Sequence, residues 1–430
     1  MPPQRSQTDE LLLGTRQRQV ENNEKTCASM CFERATLIFS ILFVSGILAL
    51  IISAFIWELF EIEEETVCNK RIVGYYTGWE SMEINRRQLS KLTHVVFAFL
   101  RVDLDGSIHF NSDYAKQRYW HLKNKTRSSK SKVKVMVSIG GSENSLSFSQ
   151  VLSNDETRRD FIESVILFIK ENRAYGVDIA WKWPDASDKW NYVIFLKELR
   201  KALNNEDENF VLSIIAPPID VGDWESGFEM EEILRYVDFV NINSMDYYGA
   251  WEDQWGTPTG PSSPLYFGIE QRKTFNVYWT LKHYVCKYEQ LEKYNIAIPF
   301  YGSVWKNVRD PIDPNYEIWR NVEFVNEKPE GKAYMSRRTM EEEGWKTKPS
   351  SWDEQTQSSY IWNQGNRTFL AFETERSIEA KTTFVTDMNL GGVWIWSLDM
   401  DDNRISLLND VATHEFCFSG KTEASVMYKC

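Results

Sequence analysis

Eight short apolar runs recur along the C-terminal four fifths of the chain. They are RIVGYYTGW from Arg71, THVVFAFL from Thr93, VKVMVSIGG from Val133 and YGVDIAW from Tyr175. FVLSIIAPP from Phe210, VDFVNINSMDYYG from Val237, IAIPFYG from Ile296 and GGVWIWSLD from Gly391 complete the set. Most are nearly continuous, as expected of parallel strands covered on both faces. Helical periodicity lies between them. SNDETRRDFIESVILFIKEN opens on Ser153 with Glu156 three residues later, which reads as a capping box, and its Phe161, Ile162, Val165, Phe168 and Ile169 share one face. KWNYVIFLKELRKAL repeats the pattern through Val193, Leu196, Leu199 and Leu203. Strands alternating with helices imply βαβ units, and eight of them predict an α/β fold, a (β/α)8 TIM barrel. The gap before the eighth run is far longer than the others. It is polar and Trp-bearing, and predicts an inserted subdomain at about 303–388 between strands 7 and 8.

The N-terminal part has a different pattern. Residues 35–57 are 23 positions without a charge, enough for a bilayer core of roughly 30 Å. With 34 mostly polar residues ahead of it and no small-residue cleavage site behind, the segment predicts a transmembrane signal anchor rather than a cleaved leader. Arg16, Arg18, Lys25 and Arg34 precede it, and Glu58, Glu61, Glu63, Glu64 and Glu65 follow it. The positive-inside rule then predicts a single-pass type II membrane protein, with the barrel on the lumenal or extracellular side. Residues 1–34 are expected as a disordered cytoplasmic tail, 58–67 as an acidic stalk and 419–430 as a polar C-terminal tail. Cys27 and Cys31 precede the span, as free thiols or palmitoylation sites. Cys68, Cys286, Cys417 and Cys430 would face an oxidising compartment, where four cysteines allow three pairings. Asn124 (NKT) and Asn366 (NRT) are glycosylation acceptors in that topology.

Composition narrows the function. The net charge of −13 argues against nucleic acid, whose binding rests on lysine and arginine. The five histidines are scattered, no HExxH occurs, and no glycine-rich nucleotide loop is present, so neither metal nor cofactor is expected. Seventeen Trp and 19 Tyr fit either a large core or a groove of stacking platforms, which suit the apolar faces of sugars.

In such barrels the active site lies at the carboxyl ends of the strands. Period-two alternation puts Asp178, Ala180 and Lys182 on one face of the fourth strand, with Lys182 at the mouth and Trp181 and Trp183 opposite. The sixth offers Asn243, Met245 and Tyr247 on one face and Asp246 at the turn; the eighth offers Trp394, Trp396 and Leu398.

These strand ends resemble glycoside hydrolase family 18, the chitinases and chitinase-like lectins. The family's fourth-strand DGxDxDWEYP motif aligns without gaps on Tyr175 to Pro184, YGVDIAWKWP. SIGG at Ser138, MDYYGAW at Met245, TGPSSPLY at Thr259, IPFYG at Ile298 and GGVWIWSLDMDD at Gly391 are similar to further family motifs, in the same order. The resemblance implies that the insertion has the family's α+β form. It also implies that the catalytic glutamate is replaced by Lys182, the aspartate before it by Ala180, and the sixth-strand tyrosine that holds the substrate's N-acetyl group by Met245. A methionine two positions before that tyrosine is Asn243, whereas Asp178, Asp246 and Trp396 are kept.

A lysine ordinarily titrates near 10.4 and would have to fall by about four pH units to act as a neutral-pH acid. The resemblance therefore implies a pseudo-glycosidase, not an enzyme, that binds chitin-type oligosaccharides of β-1,4-linked N-acetylglucosamine. Trp396 is expected as the floor of the groove, Tyr76, Trp79 and Trp251 as walls, Asp246 as a further contact, and Lys182 as an ion-pair partner of Asp246. The whole chain is most similar to inactive, signal-anchored chitinase-like proteins of nematodes, which suggests a role at cuticle or in defence. Two other readings stand beside this one: a protein-interaction scaffold with a vestigial cleft, and a weak or altered enzyme using Lys182.

Overall fold

The computed structural model describes residues 42–50, 53, 70–129, 132–414, 416 and 428–430. The contacts divide the chain into residues 1–66 and 67–430. In the first unit residues 42–50 are helical and exposed, and most of the expected span 35–57 lies outside the described residues. Among the described residues no helix is long and apolar enough to cross a membrane. The expected type II membrane anchor is corrected on that finding. The polar tail 1–34, the stalk 58–67, Cys27, Cys31, Cys68 and Cys417 lie outside the described residues.

The second unit is built on eight parallel strands: β1 (Arg71–Thr77), β2 (His94–Val102), β3 (Lys134–Gly140), β4 (Gly176–Ala180), β5 (Val211–Ala216), β6 (Phe239–Ile242), β7 (Tyr294–Pro299) and β8 (Gly392–Trp396). Each pairs with its successor, β7 with β8 across the insertion. β8 pairs β1, so the sheet closes into a barrel. A short strand, 108–110, adds antiparallel to β2.

The alternation of each strand divides its residues between two cores. Val73, Tyr75, Val96, Met136, Phe239 and Trp394 fill the barrel. Ile72, Val95, Val137, Val177, Ile214 and Ile296 face outward and pack with the helices. Helix Asp155–Asn172 illustrates the second layer: Phe161, Ile162, Val165, Phe168 and Ile169 are buried, as their spacing predicts. Its cap differs from the expected one. Asn154 accepts from the N–H groups of Glu156 and Thr157, while Ser153 ends the preceding helix, Phe148–Ser153. Two candidate cap residues sit side by side, and the Asn carboxamide takes the role.

Between β7 and β8 the chain forms a five-stranded antiparallel sheet, with spatial order 331–336, 301–305, 368–372, 358–363 and 351–353. Helix Glu375–Asp387 then leads into β8. Helix Val277–Tyr288, before β7, carries Cys286, which is disulfide-bonded to Cys430. Tyr428 is fully buried and its carbonyl accepts from Tyr278.

Candidate functional site

The site starts from a polar thread inside the barrel. Parallel register sets Ser138 of β3 and Ser213 of β5 level with Asp178 of β4. Both hydroxyls donate to the Asp178 carboxylate at 2.7 Å, and Tyr75 of β1 donates at 2.9 Å. Tyr75 in turn accepts from Asn241 at 2.9 Å, Asn241 from Asn295 at 2.8 Å, and Asn295 from Arg71 at 3.1 Å. Asp178 is fully buried, and burial raises its carboxyl above the usual range against the pull of its three donors. A buried polar group is tolerable when its hydrogen bonds are made, and this thread is continuous through the seven residues just named.

At the carboxyl ends of the strands the thread opens into a cavity of about 620 Å³. Trp79, Phe99, Lys182, Met245, Asp246, Tyr301, Tyr334 and Trp396 line it. Trp396 and Phe99 stack with centroids 5.6 Å apart and planes 22° apart. Trp79 sits 6.1 Å from Phe99 and 6.2 Å from Trp396, and half of its surface is exposed (51%). The three rings form an apolar wall open to solvent. Gly141 makes room for it: its φ is +81°, and a Cβ there would lie 2.6 Å from the Phe99 ring.

The fourth strand stops at Ala180, so Lys182 belongs to the loop beyond it. Its N–H donates to Ser145 Oγ at 2.9 Å, and Ser145 donates to the Gly141 carbonyl at 2.8 Å, which fixes the backbone at the cavity edge. The half-buried Lys182 side chain donates to Asn243 Oδ1 at 3.2 Å and has its Nζ 5.5 Å from the Trp183 ring centre. It does not pair with Asp246. Asp246 instead accepts from Tyr301 Oη at 2.5 Å, and its N–H donates to Ser262 Oγ at 3.2 Å. The expected Lys182–Asp246 ion pair is therefore corrected: a tyrosine from the far side of β7 reaches the carboxylate first. Burial lowers the Lys182 amine, opposed by Asp246 and then Asp178, and burial raises the Asp246 carboxyl. Both directions favour the neutral forms of the two groups.

The predicted residues fall into three groups. Lys182, Met245, Asp246, Trp79 and Trp396 come together around the cavity, while Ala180 and Asp178 are wholly buried on its barrel side. Trp251 stands one step back, donating from Nε1 to Tyr334 Oη at 3.3 Å. Tyr76 is not a wall: it is 1% exposed, packs on Phe97 and lies under the Arg118 guanidinium. Alternation along β1 explains this, since Tyr75 points into the barrel and Tyr76 out toward the helices. Tyr247 also departs from its expected face. β6 ends at Ile242, so alternation does not reach it, and its hydroxyl bonds Thr280 at 2.6 Å. Asn124 and Asn366 are both exposed.

Phe99, Tyr301 and Tyr334 were not singled out in the sequence. Phe99 sits near the end of an apolar run and Tyr301 within IPFYG, so strand-end position could have found both. Tyr334 lies in the sheet after β7, and no local signal marks it.

A closed parallel barrel with a cleft at the carboxyl ends of its strands is a TIM barrel. Within that class the chain belongs to glycosyl hydrolases family 18, whose sequence model matches residues 71–401. It is 27% identical over 356 residues to "Probable endochitinase" of Caenorhabditis elegans, covering 76% of this chain and 56% of the relative. The chain thus spans little more than half of that protein's length. It is 24% identical over 371 residues to "Chitinase-3-like protein 2" of Homo sapiens, covering 77% and 87%. Among solved structures, YKL-39 in the presence of chitooligosaccharides superposes with a TM-score of 0.68 at 21% identity, over 80% of this chain and 98% of that one.

Proposed function

We propose that the protein is a glycan-binding member of family 18 that does not hydrolyse what it binds. The reading rests on one observation: the group that the loop beyond the fourth strand places at the cavity is a lysine hydrogen-bonded to a neutral amide, not a carboxylic acid. Its neighbours Ala180 and Met245 carry no proton to give and no hydroxyl to hold an N-acetyl group. Acid catalysis alone is worth roughly 10²–10⁴ in rate, and three missing groups leave no working glycosidase. The aromatic wall of Trp396, Phe99 and Trp79 remains, and supports binding of an oligosaccharide through the apolar faces of its rings. The names of the human relative and of the YKL-39 structure support chitooligosaccharides, chains of β-1,4-linked N-acetylglucosamine, as the ligand class.

Calorimetric titration of the full chain with chitohexaose, followed by mass spectrometry of the recovered sugar, tests this. Binding with intact sugar is the expected result. Cleaved sugar would make the protein a hydrolase with altered chemistry. An absence of binding heat across several temperatures would leave the barrel as a protein-interaction scaffold with an unused cleft.

A further inference from the structure

Lys182 differs from other amines of the barrel in lining the cavity. Lys123 and Lys293 donate to backbone carbonyls of Arg173 and of Leu234 and Val237, and Lys381 is closed against Glu373. None of these three lines the cavity; Lys182 does. Among the described residues its nitrogen has one hydrogen bond, to the Asn243 amide oxygen, and no ion pair. An amide oxygen holds the nitrogen in place through a single donor and leaves its other positions toward the cavity. A lysine ammonium is a poor nucleophile in water because it is protonated; burial removes that obstacle, and desolvated lysines are those that add to carbonyl groups.

We propose that Lys182 is a covalent capture site for aldehydes, adding through Nζ to a carbonyl carbon held in the cleft and forming an imine. The ligand class is an aldehyde that the aromatic wall can seat, including the open-chain form at the reducing end of a sugar. The step balances without oxidant or reductant. The Nζ lone pair forms the N–C bond as the carbonyl π pair moves to oxygen, and a nitrogen-bound proton ends on that oxygen, giving a carbinolamine. The C–O bond then breaks and the oxygen leaves as water, taking a second proton. The nitrogen lone pair closes the C=N bond and the nitrogen gives up its remaining proton. Amine and aldehyde become imine and water. Asp246 lines the same cavity and is held by Tyr301; it is the group placed to lend the proton to the departing oxygen and to take one back. The direction of its shift, toward the protonated form, suits that role, as the lowered Lys182 suits the attack.

The inference does not depend on hydrolysis or on the proposed sugar ligand, and the two can fail separately. The full chain is incubated at neutral pH with acetaldehyde, and separately with chitohexaose, under sodium cyanoborohydride, which fixes an imine as a secondary amine. Peptide mapping then compares Lys182 with the exposed Lys116 and Lys201 in the same molecule. Modification at Lys182 is expected severalfold above the exposed lysines, because an amine lowered by burial carries more free base at neutral pH. Lys182→Arg, which keeps a cation and a donor, is expected to lose that excess. Equal labelling of all three lysines by acetaldehyde overturns the proposal on the unmodified protein alone, whether or not the variant folds. Chitohexaose that binds by calorimetry while neither aldehyde marks Lys182 also overturns it and leaves the sugar reading intact. Capture of acetaldehyde without any binding of chitohexaose supports the proposal and counts against the sugar reading.

Discussion

Asp178 and Lys182 lie four residues apart on one stretch of chain, yet they belong to different kinds of place. Asp178 is fully enclosed and accepts from three hydroxyls on β1, β3 and β5. Lys182 is half open, with one hydrogen bond to one amide. The first is a junction on which three strands depend. The second is an end that the structure does not need. The difference teaches that a residue's place in a motif says little about what it holds up; the number of partners it satisfies says more. Asp178 is structural because its removal strands others, whereas Lys182 is free to change.

Replacing each end of that stretch should bring out the contrast. Asp178→Ala leaves three buried hydroxyls without their acceptor, at about 1–3 kcal/mol for each stranded group. With partial relaxation a loss of about 3–5 kcal/mol is expected in chemical denaturation. A loss below about 1 kcal/mol would break the comparison. Trp396→Ala removes the floor of the aromatic wall, and calorimetry is expected to show chitohexaose affinity at least tenfold weaker, or about 1.4 kcal/mol. Thermal unfolding of that variant should change less than that of Asp178→Ala.

A third buried carboxylate sharpens the comparison through pH. Burial pushes Asp401 up to about 7, although it accepts the N–H groups of Leu407 and Leu408 and so caps their helix. A carboxyl raised on folding stabilises the fold while it is protonated in both states, and loses that contribution as pH rises through its folded value. Stability should therefore fall from about pH 4 to 7, by no more than about 1.4 kcal/mol per pH unit for one proton. Asp401→Asn should flatten the slope, as read from denaturation midpoints at pH 5 and pH 7. Identical slopes would show that Asp401 titrates normally. The smallest effect is expected at Lys182. Lys182→Met should shift stability by about 0.5 kcal/mol or less, since no ion pair is broken. Lys182→Glu should leave chitohexaose uncut, because Ala180 and Met245 remain; released sugar in that variant would show that the acid alone was missing.

The barrel was legible because its strands are buried on both faces and so read as continuous apolar runs. The ends of those runs were not. VDFVNINSMDYYG from Val237 reads as one strand, yet only Phe239–Ile242 is extended in the sheet. Tyr247 then takes its direction from Thr280 rather than from alternation. The same period-two rule that turns Asp178 inward turns Tyr75 inward and Tyr76 outward, so the expected wall residue lies on the helix side of β1. Partnerships across the chain were illegible for a different reason. Asp246 and Tyr301 are 55 residues apart, and nothing local to either states that they meet at 2.5 Å. The same holds for Cys286 and Cys430: composition allows three pairings and only the fold brings these two together.

That disulfide also decides how the molecule would carry a load. Cys430 is tied through Cys286 to helix Val277–Tyr288, 144 positions earlier. A pull on the chain at Cys430 is delivered at once to that helix. β7, β8 and the antiparallel sheet between them lie on the slack side of the tether and bear none of the tension. Cutting the bond would put all of them in series with the applied force.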